Sequence, residues 1–310
     1  MLPAHSPSGT ATTDCTIKLH RRCKGCLQTT LSRDGALLAT GSFDYTVRVW
    51  RIADGLCLRT LQAHEGSVSG IALSPDARLL ISGGQDGWIK LWDFTQAVRG
   101  GEPLATIQAH AGPIWNVALS GDGRLLASAS QDGTVKLWEI PSGQLLATIR
   151  DHDDLFWGVA VSHDGTLVAS GGHSGRVTLW EAPSGRFLAT LGAHEGQAWT
   201  IAFRRDAGLL VSGGVDGVVM LWDVATRQPI TRCTGHEGPV NTVAVRPDGS
   251  LMASSAQDGT VMLWDPESGA CRATLRPDRR YERMDITGLA GVGDVQKAVL
   301  KTLGAVEHSS

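Results

Sequence analysis

From His64 to Asp93 the chain reads HEGSVSGIALSPDARLLISGGQDGWIKLWD. Its hydrophobic residues fall in three short runs: Val68, Ile71 and Leu73; then Leu79, Leu80 and Ile81; then Trp88, Ile89 and Leu91. Runs this short, each bounded by turn residues, predict strands and not helices. Pro75-Asp76 separates the first two runs and Asp86-Gly87 the next two. Asp-Gly is favoured in tight hairpins because both residues tolerate positive φ. Comparable stretches add a fourth run after a Ser-Gly turn, as from Ser142-Gly143 to Ile149. The reading is four short antiparallel strands.

The same pattern extends in both directions. Trp50, Trp92, Trp138, Trp180, Trp222 and Trp264 follow one another at spacings of 42, 46, 42, 42 and 42 residues, a period that has to be read before any local motif. Ten residues before each stands Thr40, Ser82, Ser128, Ser170, Ser212 or Ser254, and six before stands Asp44, Asp86, Asp132, Ser174, Asp216 or Asp258. Twenty-eight before stand His64, His110, His152, His194 and His236, with Arg22 in the first unit. The longer step from Trp92 to His110 places Val98-Arg99-Gly100-Gly101-Glu102 in an extended surface loop. Four strands per unit is one blade of a propeller, and blades set radially leave few unprotected edges.

With Leu91-Trp92-Asp93, Leu221-Trp222-Asp223 and Gly235-His236 as near-standard signatures, the chain resembles the WD40 family over residues 23–277. The resemblance implies an all-β WD40 β-propeller of six complete four-stranded blades. Residues 1–22 would carry one spare strand, Cys15 to Leu19. Residues 278–310 would carry a strand from Tyr281 to Thr287 and a short helix capped by Asp294 and ended by Gly304. A six-bladed ring, incompletely closed, and a seven-bladed ring both stay open. In the family, the His, Ser/Thr, Asp and Trp of a blade form a buried hydrogen-bonded tetrad. By position these are His64, Ser82, Asp86 and Trp92; His110, Ser128, Asp132 and Trp138; His194, Ser212, Asp216 and Trp222; and His236, Ser254, Asp258 and Trp264. The first unit lacks the His and the fourth lacks the Asp, so those two blades are expected to be looser. Residues 281–288 and Leu303-Gly304-Ala305 resemble the C-terminus of large bacterial WD40 proteins with a signal-transduction NTPase domain, which implies a split gene, a fragment or a free-standing sensor.

Composition narrows the function. Of 310 residues, 42% are hydrophobic and 19% charged, with a formal net charge of −3, so no global basic field points to nucleic acid or an anionic membrane. The first twenty residues hold no apolar core and no long apolar run follows, so neither a cleaved signal nor a membrane span is expected. Six Cys are too few for a disulfide scaffold, and a reducing cytoplasm is the expected compartment. His, Ser and Asp recur blade after blade, whereas a nucleophilic site needs one triad. There is no Gly-x-Ser-x-Gly elbow and no Gly-Lys pair. Neither catalytic residues nor a cofactor are expected. Cys23 and Cys26 form a Cys-x-x-Cys with Cys15 and His20 nearby, but Cys26 stands where Val68 stands in the next unit. A small apolar filler is the reading there, and no metal is expected.

Trp88, Trp115, Trp157 and Trp199 remain outside the tetrads. The last three each lie five residues after a repeat His, near the start of an inner strand. In the resembled family that position opens onto the top face around the central channel, and the residue before the tetrad Asp shares that face. The expected partner-binding set is therefore Trp115, Trp157, Trp199, Phe43, Gln85, Gln131, His173 and Gln257. Three exposed Trp in consecutive blades make a hot spot for a protein or peptide. The competing readings are the regulatory C-terminal part of a bacterial signal-transduction NTPase or kinase system, and an enzyme built on a propeller scaffold.

Overall fold

The computed structural model describes residues 26–32, 34–94, 102–151, 154–246 and 248–276. They form twenty-four strands in six sheets. The first blade is β1 (Cys26–Leu31), β2 (Leu37–Ser42), β3 (Thr46–Arg51) and β4 (Leu56–Gln62). The second is β5 (Val68–Leu73), β6 (Leu79–Gly84), β7 (Trp88–Asp93) and β8 (Ala105–Gln108). The third is β9 (Ile114–Leu119), β10 (Leu125–Ser130), β11 (Thr134–Glu139) and β12 (Gln144–Arg150). The fourth is β13 (Phe156–Val161), β14 (Leu167–Gly172), β15 (Arg176–Glu181) and β16 (Arg186–Ala193). The fifth is β17 (Ala198–Phe203), β18 (Leu209–Gly214), β19 (Val219–Asp223) and β20 (Gln228–Cys233). The sixth is β21 (Val240–Val245), β22 (Met252–Ala256), β23 (Val261–Trp264) and β24 (Cys271–Leu275). Within each sheet the strands stand in chain order. The architecture is all-β: a six-bladed propeller with four-stranded antiparallel blades.

Two compact units divide the chain. One is Met1–Val168 with Glu181–Arg186; the other is Ala169–Trp180 with Phe187–Ser310. In the first, one core joins Val47, Val49 and Leu61 of the first blade to Val68, Leu80 and Trp92 of the second. Another joins Ile81, Ile89 and Leu91 to Ile114, Leu126 and Trp138 of the third. In the second unit, Val211, Leu221 and Cys233 pack with Val240, Met262 and Trp264. Each core spans two successive blades, so burial comes from stacking one sheet on the next, as expected of repeats that cannot bury their apolar face alone. Gly83 permits the close approach: a Cβ there would lie 2.9 Å from both Ile114 Cγ2 and Val117 Cγ1.

Two local features aim the polar side chains. The ladder to the outermost strand slips at the repeat Trp, between Val49 and Trp50, Leu137 and Trp138, Leu221 and Trp222, and Leu263 and Trp264. Such a slip re-aims a side chain. The turn carrying the repeat His folds onto the hairpin of the blade before it. Ala63 and His64 N–H donate to the Tyr45 carbonyl at 3.1 and 3.2 Å, and Ala109 and His110 N–H to the Gly87 carbonyl at 3.1 and 3.0 Å.

Arg22, His152, the strands expected at Cys15–Leu19 and Tyr281–Thr287, the C-terminal helix and residues 98–101 of the expected loop lie outside the described residues. Cys26 is a correction. It shares the register of Val68, pairing with Ser42 as Val68 pairs with Gly84, yet it is exposed and disulfide-bonded where Val68 is fully buried. Val68 is covered by the preceding blade, where a Cβ on Gly41 would meet its carbonyl oxygen at 2.7 Å. Register is inherited with the repeat, whereas burial depends on what lies beside it.

Candidate functional site

Four blades join His, Ser, Asp and Trp through one chain of hydrogen bonds. In the second, Trp92 Nε1–H donates to Ser82 Oγ at 3.0 Å, Ser82 Oγ meets His64 Nε2 at 2.8 Å, and His64 Nδ1 meets Asp86 at 3.0 Å. The third repeats this with Trp138, Ser128, His110 and Asp132 at 3.0, 2.7 and 3.0 Å. The fifth does so with Trp222, Ser212, His194 and Asp216 at 2.9, 2.7 and 3.1 Å. The sixth does so with Trp264, Ser254, His236 and Asp258 at 2.7, 2.6 and 3.2 Å. Indole is a donor only and carboxylate an acceptor only, so the network itself assigns the tautomer: Ser O–H donates to Nε2, and Nδ1–H donates to Asp. The Asp carboxylate also caps the adjoining turns, taking the N–H of Glu65, Ala111, Glu195 and Glu237 in the four blades.

The electrostatics follow from burial. Desolvation pushes His110 and His194 below the ordinary histidine range, against the pull of Asp132 and Asp216. Burial pulls Asp86 and Asp132 upward, but hydrogen bonds from His64 to Asp86, and from Thr134 and His110 to Asp132, hold both below the ordinary carboxylate range. A neutral His between an ionised Asp and a Ser has the connectivity of a nucleophilic triad. Access decides otherwise. Ser82, Ser128 and Ser212 have no exposed surface, and each Oγ already accepts an indole N–H. No substrate carbonyl can reach them.

The two incomplete blades differ. In the fourth, Trp180 Nε1–H donates to Ser170 at 2.8 Å, while the exposed Ser174 hydroxyl accepts the N–H and Nε–H of Arg176. In the first, Trp50 Nε1–H donates to Thr40 at 3.0 Å, and Asp44 is taken by Arg48 Nη2 at 2.6 Å and Thr46 Oγ1 at 2.6 Å. Burial pulls the Asp44 carboxyl upward, yet hydrogen bonds from Arg48, Thr46 and Ser42 hold it down at about 2. Arg48 was not singled out by the sequence, although its column is cationic in the first three units (Arg48, Lys90, Lys136) and polar in the fourth (Thr178).

The aromatic set is placed as follows. Trp115, Trp157 and Trp199 occupy the second position of β9, β13 and β17, and all three are half-buried, not exposed as expected. Trp115 and Trp157 pack on each other, with ring centroids 4.6 Å apart and planes tilted by 37°. Each indole Nε1–H is enclosed and has no hydrogen-bond partner among the described residues. Trp199 Nε1–H donates to Gln197 Oε1 at 2.8 Å, and Gln197 Nε2 meets His173 Nδ1 at 2.8 Å. Phe43, Gln131, His173 and Gln257 are exposed and Gln85 is half-buried. Phe43 has a neighbour that the spacing missed: Tyr45 is 48% exposed and sits at φ 70°, where the other five blades have Gly at 71–83°. The signal was in the sequence, since Asp44-Tyr45 stands in the Asp-Gly column.

The six four-stranded blades have a counterpart in a known repeat. The model of the WD domain, G-beta repeat, matches residues 16–51, 55–93, 101–139, 143–181, 185–223 and 227–265. The chain belongs to the WD40 family. It is similar to the sterol regulatory element-binding protein cleavage-activating protein of Xenopus laevis, 48% identical over 65 residues, which is 21% of this chain and 5% of that protein. Nuclear distribution protein PAC1 of Arthroderma benhamiae is 44% identical over 61 residues, 20% of this chain and 13% of that one. Small ribosomal subunit protein RACK1y of Oryza sativa subsp. japonica is 41% identical over 59 residues, 19% of this chain and 18% of that one. Each alignment thus spans less than a fifth of the curated relative. Among the described residues, no helix is long and apolar enough to cross a membrane, and no cluster of His, Cys, Asp or Glu is arranged to hold a metal ion.

Proposed function

We propose that the chain is a non-catalytic interaction module that binds a protein or peptide segment through its inner-strand tryptophans, Trp115 and Trp157 in one unit and Trp199 in the other. The observation that carries this reading is the Trp115–Trp157 pair. The two half-buried rings pack into one apolar platform with their Nε1–H groups turned inward, so what a partner would cover is the remaining exposed ring area, which Trp supplies at little entropic cost. Exposed Phe43 and Gln131 and half-buried Gln85 are the further contacts proposed in the unit of this pair, and exposed His173 and Gln257 those proposed in the unit of Trp199. The buried tetrad serines support the absence of catalysis, and one relative is by name a component of the ribosome. A cytoplasmic setting fits the overall composition, and the disulfide at Cys26 is the feature that points the other way. The tail at residues 281–305 favours a second reading, the regulatory C-terminal part of a bacterial signal-transduction NTPase or kinase system.

The test compares two tryptophans of the fourth blade. Trp157→Ala should keep the fold and lose the partner captured from the native cell by the unaltered protein, with affinity reduced by about 1–3 kcal/mol in titration calorimetry. Trp180→Ala, which removes a buried donor to Ser170, should unfold the blade instead. A folded Trp157→Ala protein that binds that partner unchanged, or an unfolded one, rejects the Trp face.

A further inference from the structure

Trp199 ends a short relay of side chains. Its Nε1–H donates to Gln197 Oε1 at 2.8 Å, and Gln197 Nε2 lies 2.8 Å from His173 Nδ1. All three residues belong to one compact unit. Indole is a donor only, so the Gln197 carbonyl oxygen faces Trp199 and its amide N–H2 faces His173. Nδ1 of His173 is therefore the acceptor, and the neutral ring carries its proton on Nε2.

The backbone holds the three in place. Trp199 is the second residue of β17. The Gln197 carbonyl accepts Val215 N–H at 3.0 Å, and Gly175, on the hairpin of His173, accepts His194 N–H at 3.0 Å. The relay is also particular to this pair of repeats. The column of Gln197 holds Ser67, Pro113, Leu155 and Pro239 in other units, and the column of His173 holds Phe43, Gln85, Gln131, Val215 and Gln257. These columns bring an imidazole and an amide together only where the fourth unit meets the fifth.

We propose that His173, acting through Gln197, makes the anchoring of Trp199 depend on protonation. A proton taken from water onto Nδ1 turns that acceptor into a donor aimed at the Gln197 N–H2. Turning the amide over satisfies the imidazolium but sets the N–H2 against Trp199 Nε1–H, so one of the two bonds is lost in either orientation. The bond to a charged ring is the stronger, and the bond to Trp199 is the one given up. Imidazole is the side chain that ordinarily changes charge between about pH 5 and 8, and His173 is exposed. The charged groups on the elements packed here are Arg176 on the hairpin of His173, where its Nε–H donates to Ser174, Glu195 on the turn that carries Gln197, Arg232 at 3.7 Å from Glu195, and Asp216, which His194 engages. If the tryptophans bind a partner, acid frees the Trp199 N–H for a partner carbonyl; the relay itself does not rest on that reading.

The experiment follows the indole N–H resonances of the full chain, labelled with nitrogen-15, as pH is lowered from about 8 to about 5.5. The Trp199 resonance is assigned by its loss in Trp199→Phe, and that of Trp222, bonded to Ser212 in the same unit, reports the fold. The Trp199 resonance should move along one titration curve that shares its midpoint with the His173 ring signals, while Trp222 stays still. His173→Ala should abolish the movement. Gln197→Leu should abolish it too, with the His173 ring still titrating. A Trp199 resonance that is static in the unaltered protein overturns the proposal, as does movement that persists in either variant or a Trp222 resonance that moves in step with it. No partner is needed, so the relay and the tryptophan reading fail separately.

Discussion

The third and first blades hold the same hairpin carboxylate with one donor in common, Thr134 or Thr46 at 2.6 Å, and differ in the rest. Asp132 is approached by His110 Nδ1 at 3.0 Å and by Ala111 N–H at 3.2 Å, bonds that span 22 and 21 residues. Asp44 is approached by Thr46 and Arg48, two and four residues away. The first arrangement fastens the turn entering the blade to the hairpin between its middle strands. The second orders only the hairpin. The Trp–Ser/Thr bond is common to both, at 3.0 Å in each. The difference separates two functions that the tetrad combines: capping a tight turn, which needs only a carboxylate and short-range donors, and stapling distant segments in register, which needs the His.

The largest effect should fall on the staple. Asp132→Ala takes from Ala111 N–H and the fully buried His110 side chain the carboxylate they share, leaving Thr134 Oγ1 at 3.1 Å as the acceptor within reach of His110 Nδ1, and should cost about 3 kcal/mol. Asp44→Ala should cost less, about 2 kcal/mol: it takes the carboxylate from Arg48, whose side chain is only 15% exposed with Nη1 enclosed, but it unfastens no distant segment. In the fourth blade, Ser174→Asp should move stability by no more than about 0.5 kcal/mol, since Ser174 is exposed. Urea midpoints at constant m report all three. Equal midpoints for Asp132→Ala and Asp44→Ala would erase the distinction between staple and cap.

Acid should sharpen the same contrast. His110 and His194 bind protons less readily when folded than their ordinary value of 6.5, so the unfolded chain gains protons first as pH falls. Their contribution is complete above about pH 6.5 and is lost below it. Asp44, Asp86 and Asp132 lie below their ordinary 3.8 when folded, so their contribution is present above about pH 4 and is lost below it. The expected melting profile therefore falls in two stages, and Asp44, paired with Arg48 instead of a histidine, contributes only to the lower one. A melting temperature that stays flat from pH 7.5 to 5 would mean that the carboxylates outweigh burial and the histidines are charged when folded.

How much of this could be read from the chain depends on the range of the interaction. Strand order, hairpins and tetrad members repeat at a fixed period, so Ser82 or Asp216 could be placed by counting from Trp. Cys26 could not: its register copies Val68, but burial is set by a neighbouring blade that counting within one unit does not see. Arg48 holds a carboxylate that a histidine holds elsewhere, but its column also carries Lys90 and Lys136 in blades that keep the histidine, so a cation at that position does not by itself announce the substitution. The Trp face was half legible. Spacing put Trp115 and Trp157 at one point of adjacent inner strands, whereas their mutual stacking depends on rotamers that no spacing records.

Tyr45 offers the smallest and most local test. It occupies the left-handed conformation at φ 70° that five sibling hairpins give to glycine, and for a bulky residue that conformation costs about 1–2 kcal/mol. Glycine there would remove the strain but add about 0.5–1 kcal/mol of unfolded-state entropy. With Tyr45 48% exposed, little burial is lost with the ring, so Tyr45→Gly should stabilise by up to about 1 kcal/mol. The reverse change in the second blade, Gly87→Tyr, should destabilise more strongly, because a Cβ there would lie 2.5 Å from the His110 carbonyl oxygen. Calorimetric melting of the two variants decides it. A rise for Tyr45→Gly would mean the first blade carries an exposed aromatic at the expense of stability, and a fall would mean the Tyr45 ring makes a contact worth more than the strain.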